Sequence, residues 1–282
     1  DITVVGNVLD KEKLKVSLKG VTDVILLAAE HKDNVSPTSL YYDVNVRGMQ
    51  NVLECMDYHN IKNIIFTSSV AVYGLNKQNP NELSDVDPFN HYGISKWEAE
   101  NVLRDWYEIN SENKKVYVVR PTVIFGERNR GNVYNLFSQI TSGKFLMIGN
   151  GDNKKSMAYV KNVVDFISFL NDRSNKEFQI YNYVDKNDLS MNELVNIVQQ
   201  KTGLRVINFN IPYYIGIMIG YFFDILSFFF FKKVEFKISS VRIKKFCANT
   251  VYDSQKTRKV FVPKYNLKDA VEKTIEYEFI KK

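Results

Sequence analysis

The sequence predicts an α/β fold built on a doubly wound parallel sheet. Three observations carry the prediction: strand-like and helix-like segments alternate, the strand-like ones are short continuous apolar runs, and the helix-like ones are long and periodic. Strands covered on both faces read as continuous runs, so Val24–Ala28 and Ile64–Phe66 point to a parallel sheet flanked by helices.

In chain order, Ile2–Val5 is a β-rich run and Lys11–Leu18 has helical periodicity. Val24–Ala28 is a buried strand. Tyr41–Tyr58 follows as a long helix, with Val44, Val46, Met49, Val52, Leu53 and Met56 at its apolar positions. Ile64–Phe66 is the next strand, followed by a polar loop containing Pro80 and Pro88. Tyr92–Ile109 is helical, and Val116–Val119 is a strand closed by Arg120-Pro121. Beyond Gly126 the alternation loosens. A basic loop enters a helix near Asn132, and Val160–Leu170 is helical. Phe178–Tyr183 is strand-like, and Ser190–Thr202 is a helix whose Ser190 and Glu193 are spaced as a capping box. Leu267–Phe279 closes the chain as a helix, and no internal repeat or low-complexity linker interrupts it.

Composition excludes several functions. The chain has 282 residues, enough for one large domain or a domain with a smaller lobe. Two cysteines, Cys55 and Cys247, make neither a disulfide framework nor a metal cluster, which fits a reducing cytoplasm. His31, His59 and His91 share no ligand spacing, so no metal is expected. A net charge of +6 is mild, and no nucleic-acid partner is expected.

One stretch stands apart. Tyr213–Phe231 has 19 residues with one formal charge, Asp224, and contains Gly216-x-x-x-Gly220. As a helix it measures about 28 Å at about 1.5 Å per residue, near the thickness of a bilayer core. Six basic residues follow between Lys232 and Lys245, against one acid, Glu235. A buried helix of a small lobe and a helix lying in the membrane interface both fit. A span fits less well, since it strands residues 232–282 across the bilayer.

The chemistry concentrates in Tyr92-Gly93-Ile94-Ser95-Lys96, which places a phenol and an ammonium on one helical face. A phenol titrates near 10 and is a poor base; a nearby ammonium and a bound cationic ring favour its phenolate. Alone, the spacing is common on helix faces. The preceding strand, however, ends in Thr67-Ser68-Ser69, at the carboxyl edge where parallel sheets bind ligands. Ser69 is suited to donate a hydrogen bond to a substrate oxygen while Tyr92 exchanges its proton.

In order, Asn7-Val8, Leu27-Ala28-Ala29, Asn45, Ser69, Tyr92 with Lys96, and Arg120-Pro121 resemble the signature of the extended short-chain dehydrogenases, the nucleotide-sugar epimerase/dehydratase family. The resemblance implies a Rossmann-like domain over 1–129, with 160–185 returning to it, and a substrate lobe over 130–159 and 186–282 that includes helix 213–231. It implies bound NAD, with Asn7 and Val8 flanking the adenine and Leu27, Ala28 and Ala29 on the nicotinamide side. Asn45, as a structural or active-site support, and Thr67, Tyr92, Lys96, Pro121 and Val123 complete the expected cofactor set. Ser69, Tyr92 and Lys96 are the expected catalytic residues. Ser69, Thr122, Arg128, Arg130, Asn132 and Lys155 are expected at the substrate, the last four as donors to a diphosphate.

Two departures refine this. The family's dehydratases carry an Asp-Glu pair where this chain has Val70-Ala71, which disfavours dehydration and leaves epimerisation or ketone reduction. The family's first strand, glycine-rich turn and helix are also expected to be absent, and with them the phosphate cradle and the residue that selects NAD over NADP. Longer strings, such as FTSSVAVYGLNKQNP and RPTVIFGERNRGNVYNL, resemble bacterial epimerases that act on N-acetylglucosamine carried by undecaprenyl diphosphate. That group implies a lipid-linked amino sugar as substrate, a place at the inner face of the cytoplasmic membrane, an anionic membrane surface as partner, and a homodimer. A soluble nucleotide-sugar epimerase or 4-ketoreductase, or a non-catalytic relative, remains the alternative.

Overall fold

Continuous apolar runs need partners on every side, and the chain supplies them by pairing four runs edge to edge. The computed structural model describes residues 2–32, 35–75, 77–204, 210–230 and 239–281, without the side chains of 227–230. Its elements begin α1 (Lys11–Ser17), β1 (Asp23–Leu26), α2 (Ser39–Tyr42), a π-helical turn (Asp43–Arg47) running into α3 (Gly48–Tyr58), and β2 (Asn63–Thr67). A short 3-10 turn (Val70–Tyr73), α4 (His91–Glu108), β3 (Lys115–Pro121), β4 (Val123–Phe125), α5 (Asn132–Thr141) and β5 (Met147–Ile148) follow. Next come β6 (Lys154–Tyr159), α6 (Val160–Asn171), β7 (Phe178–Tyr183), β8 (Asp185–Ser190), α7 (Met191–Thr202) and β9 (Asn210–Ile211). The chain closes with α8 (Tyr213–Phe230), α9 (Ser240–Cys247), α10 (Gln255–Val260), α11 (Leu267–Ile275) and a π-helical turn (Glu276–Ile280).

The chain divides into two units. The first holds residues 1–122, 162–184 and 252–263. Its sheet runs β1-β2-β3-β7, every neighbour parallel. Side chains alternate across it: Ile64, Phe66, Val116 and Val118 meet Val52, Leu53 and Met56 of α3 and Ala99, Leu103 and Trp106 of α4. On the opposite alternation, Tyr117 approaches Tyr181, which meets Phe166 of α6 at a centroid distance of 5.6 Å. Helices thus cover both faces, as the sequence predicts.

The expected boundaries shift in two respects. The first unit ends at Thr122 rather than residue 129 and takes in 252–263 from the predicted lobe. Helix α10 explains this. The buried Thr257 hydroxyl donates to the Asn182 carbonyl of β7 at 2.6 Å, and Phe261 packs on Phe166 at 5.3 Å.

Two strand expectations are corrected. Ile2–Val5 forms no strand; nothing among the described residues pairs with it, and Ile2, Val4 and Val5 are exposed. β1 is not buried on both faces. It is the edge of the sheet, with Ile25 and Leu27 exposed.

The second unit holds residues 123–161, 185–251 and 264–282. Its sheet runs β4-β6-β8, with β6 and β8 antiparallel, and β5 pairs with β9. Phe137 of α5, Leu194 and Val198 of α7, and Ala270, Val271 and Ile275 of α11 share its core with Phe125 and Tyr159. Both halves of the Ser190–Glu193 capping box are formed.

Helix α8 is covered on one side. Gly216 and Gly220 are buried, and a methyl at Gly220 would lie 2.7 Å from Ser240 Cα of α9. Its lone charge, Asp224, accepts the Ser240 N–H at 3.2 Å, at the start of α9 where a carboxylate is favoured. Among the described side chains of the helix, Tyr214, Met218, Tyr221, Phe222 and Ile225 are exposed. No helix among the described residues is long and apolar enough to cross a membrane. Phe231, Lys232, Lys233, Glu235 and Lys237 of the predicted apolar and basic runs lie outside the described residues.

Candidate active site

The site grows from the carboxyl end of β2. Thr67 is its last residue, and its hydroxyl donates to the Leu26 carbonyl of β1 at 3.2 Å. Ser68 continues the ladder, donating its N–H to the Val119 carbonyl at 2.7 Å. The backbone then turns at Ser69, whose Oγ accepts the Ala71 N–H at 3.1 Å and caps the 3-10 turn. That leaves the Ser69 hydroxyl proton to donate elsewhere, and the Ser69 side chain acts to lower the Tyr92 pKa against burial.

Tyr92 lies in the first turn of α4. Asn90 caps the helix by accepting the Gly93 N–H at 2.8 Å. Gly93 lets this turn approach the loop after β2: a methyl there would meet the Ala71 carbonyl oxygen at 2.7 Å and Pro88 Cβ at 3.0 Å. Gly93→Ala therefore destabilises the fold by about 1–3 kcal/mol and displaces Tyr92. A lowered urea midpoint together with lost activity checks this; an unchanged midpoint contradicts it.

Ser95 anchors the same turn from the other side. It is buried, donates to the Tyr92 carbonyl at 2.9 Å and accepts from Asn45 Nδ2 at 2.8 Å. Asn45 also binds the Glu30 backbone twice, accepting its N–H at 2.8 Å and donating to its carbonyl at 3.0 Å. With both amide protons spent, Asn45 clamps α4 to the loop after β1. This matches the structural support that the family resemblance implies for Asn45.

Lys96, one turn further along, is buried. Its Nζ donates to the Thr67 carbonyl at 2.6 Å and lies 4.2 Å from the Phe66 ring centroid. Burial pulls its pKa down to about 7, while Glu100 acts to raise it. Burial holds Tyr92 above its ordinary value, with the Ser69 hydrogen bond working the other way. Burial dominates Tyr92 in the chain alone; the expected lowering involves Lys96 together with a bound cationic ring, and Lys96 here holds the Thr67 carbonyl.

The remaining predicted residues of this unit lie as follows. Asn7 is exposed, its side chain accepting the Leu9 N–H at 3.0 Å; the Val8 carbonyl accepts from Asn51 Nδ2 at 2.9 Å. Leu27 and Ala28 are exposed just beyond β1, and Ala29 is half-buried. Pro121 ends β3, and the buried Thr122 Oγ has no hydrogen-bond partner. His91 meets the Tyr42 hydroxyl through Nδ1 at 2.9 Å, which is ordinary polar packing.

In the second unit the predicted diphosphate donors are largely occupied. Val123 is partly exposed in β4, and Asn132 is the exposed first residue of α5. Arg130 pairs with the buried Glu278 at 2.7 Å. Arg128 donates its backbone N–H to Glu278 at 2.6 Å and its Nε to Tyr277 at 3.0 Å. Lys155 is corrected as a free cation: its Nζ donates to the carbonyls of Lys245 and Ala248 at 2.9 and 2.6 Å. Burial lowers its pKa to about 8, and it closes the C-terminus of α9. Sequence reading missed these partners because all lie at least 90 residues away in the chain.

The profile of the NAD dependent epimerase/dehydratase family matches residues 2–183. The chain belongs to that family. This family member is 54% identical over 281 residues to the N-acetyl-alpha-D-glucosaminyl-diphospho-ditrans,octacis-undecaprenol 4-epimerase of Escherichia coli O157:H7, an alignment covering 99% of this chain and 84% of that one. It is 29% identical over 199 residues to the UDP-glucose 4-epimerase of Vibrio cholerae, covering 68% of this chain and 60% of that one. Its fold is that of the UDP-glucuronic acid 4-epimerase from Bacillus cereus, solved in complex with NAD. There the TM-score is 0.74 at 17% identity, with 96% of this chain and 78% of that one covered.

Proposed function

We propose that this chain is a sugar 4-epimerase that interconverts N-acetylglucosamine and N-acetylgalactosamine on undecaprenyl diphosphate, for surface polysaccharide synthesis. The observation that carries the reading is the 54% identity over 99% of the chain to an enzyme named for that reaction. Ser69, Tyr92 and Lys96 supply the machinery the reaction needs.

The residues at the sheet edge fit NAD. Lys96 has three donors and spends one on Thr67, while Thr122 Oγ is buried without a partner. Leu27 and Ala28 leave the β1 end open to a flat ring. NAD, when bound, supplies a reversible hydride acceptor and a positive ring. Tyr92 takes the proton of the sugar 4-hydroxyl and later returns it to the 4-keto oxygen. Ser69 donates to that oxygen and holds it against Tyr92. Lys96 binds the ribose hydroxyls and keeps positive charge beside the phenol. Val70 and Ala71 offer no acid or base, so no water is lost. Incubating the chain with the lipid-linked sugar tests this: conversion without added reductant supports it, and stoichiometric NADPH consumption contradicts it.

The lipid-linked substrate gives α8 a purpose. Its exposed Tyr214, Met218, Phe222 and Ile225 lie in the interface of an anionic membrane, and exposed Arg242, Lys244 and Lys245 of α9 meet its headgroups. The chain then works at the inner face of the cytoplasmic membrane. Converting Met218 and Phe222 together to glutamate lowers co-sedimentation with phosphatidylglycerol vesicles about tenfold or more. Unchanged sedimentation contradicts the membrane assignment.

A further inference from the structure

Glu100 lies one helical turn beyond Lys96 on α4, at the spacing that shares a face with it, and is fully buried. Its carboxylate accepts two hydrogen bonds from Arg120 of β3, from Nε at 3.0 Å and from Nη2 at 2.6 Å, and a third from the Ser68 hydroxyl. The other Arg120 nitrogen donates to the Tyr73 hydroxyl at 2.8 Å, which donates to Asn182 Oδ1 at 2.8 Å. Every member of this chain is buried.

A buried ion pair is a poor source of stability, because desolvating both charges consumes about what their attraction returns. The partners indicate another purpose. Ser68 stands between Thr67, whose carbonyl holds Lys96, and Ser69, whose side chain caps the turn that follows β2. Glu100 thus shares a helix face with Lys96 and is joined to the serine edge through the Ser68 hydroxyl.

We infer that Glu100 is a positioning residue: its carboxylate, fixed by Arg120 and Ser68, places negative charge on the helix face that carries Lys96 and ties the serine edge to α4. The functional consequence rests on the role given to Lys96 above. The groups facing Lys96 are the Phe66 ring and Thr67 carbonyl of β2 and Glu100 of its own helix; the Asn45–Ser95 pair beside it is uncharged. Among the described residues, Glu100 is the carboxylate that opposes the loss of the Lys96 charge on burial. The groups facing Glu100 are Arg120, Ser68 and Lys96, and Arg120 in turn meets Tyr73 and the Trp97 ring.

The test follows the Lys96 Cε resonance in lysine-labelled protein as a function of pH, in the wild type, in Glu100→Gln, and in Glu100→Gln combined with Arg120→Gln. The double variant does not leave the Arg120 guanidinium buried without its carboxylate, and supplies the titration where the single one fails to fold. The expected result is a Lys96 titration lowered by about one pH unit or more in the folded variants. The alkaline limb of epimerisation moves down with it, and turnover at neutral pH falls about fivefold as the ammonium fraction drops. A Lys96 titration unmoved in a folded variant overturns the inference, even if turnover falls, because a merely structural role lowers turnover without moving it. A shifted titration in a wild-type chain that does not epimerise leaves the positioning role standing and removes the proposed reaction instead.

Discussion

Replacing Tyr92 by phenylalanine lowers the rate of epimerisation about 10²–10⁴-fold, the range spanned by a positioned acid–base group. The substitution removes only the hydroxyl. The turn that carries the ring is fixed independently by the Asn90 cap, by the close approach of Gly93 and by Ser95. Folding is therefore expected to persist, so equal urea midpoints for the two proteins accompany the lost activity. Because burial holds the free phenol above its ordinary value, the Tyr92 titration should fall when NAD binds, as the positive ring favours the phenolate. Ultraviolet difference titration with and without cofactor reads this directly, and an unmoved titration contradicts it.

Lys96→Met trades activity for stability. The unfolded lysine titrates near 10.4, whereas burial brings the folded one to about 7. Between those values the unfolded chain holds more protons than the folded one, so stability contributed by this group rises with pH across that window. The cost of burying the ammonium is full below about 7 and disappears near 10.4. Methionine has similar reach and no charge, while Glu100 keeps Arg120 as its partner. The variant is expected to be more stable than wild type by about 1–4 kcal/mol at or below neutral pH, with the difference fading as pH rises. Its epimerase activity falls at least about a hundredfold, since it neither binds ribose hydroxyls nor offers charge beside the phenol. Denaturant midpoints at about pH 6 and about pH 10 check the sign; a variant less stable at the lower pH contradicts it.

Much of the fold is legible in the sequence because its signals are local. Val116–Val119 is a continuous apolar run, Phe178–Tyr183 is rich in β-formers, and Ser190 with Glu193 announces the start of α7. What local pattern cannot reveal is which partner takes a side chain. Val24–Ala28 reads as a fully buried strand, yet burial depends on neighbours, and among the described residues β1 pairs with β2 alone. Lys155, Arg128 and Arg130 read as free cations, yet carbonyls of α9 and the buried Glu278 occupy them. The same limit hid Glu100. Its spacing from Lys96 is visible in the sequence, but Arg120 and Ser68 are brought to it only when β2 and β3 pair beside α4. Ser69, Tyr92 and Lys96 were legible because a strand end and a helix start carry them, and both are local features.

The central claim is a transient oxidation at one sugar carbon, with the hydride kept in the site and returned. It is tested most directly with lipid-linked N-acetylglucosamine carrying deuterium at C4, incubated with the full chain and no added reductant. The account predicts N-acetylgalactosamine that retains the deuterium at C4. Product with solvent hydrogen at C4, or product formed only with consumption of a reduced cofactor, contradicts it.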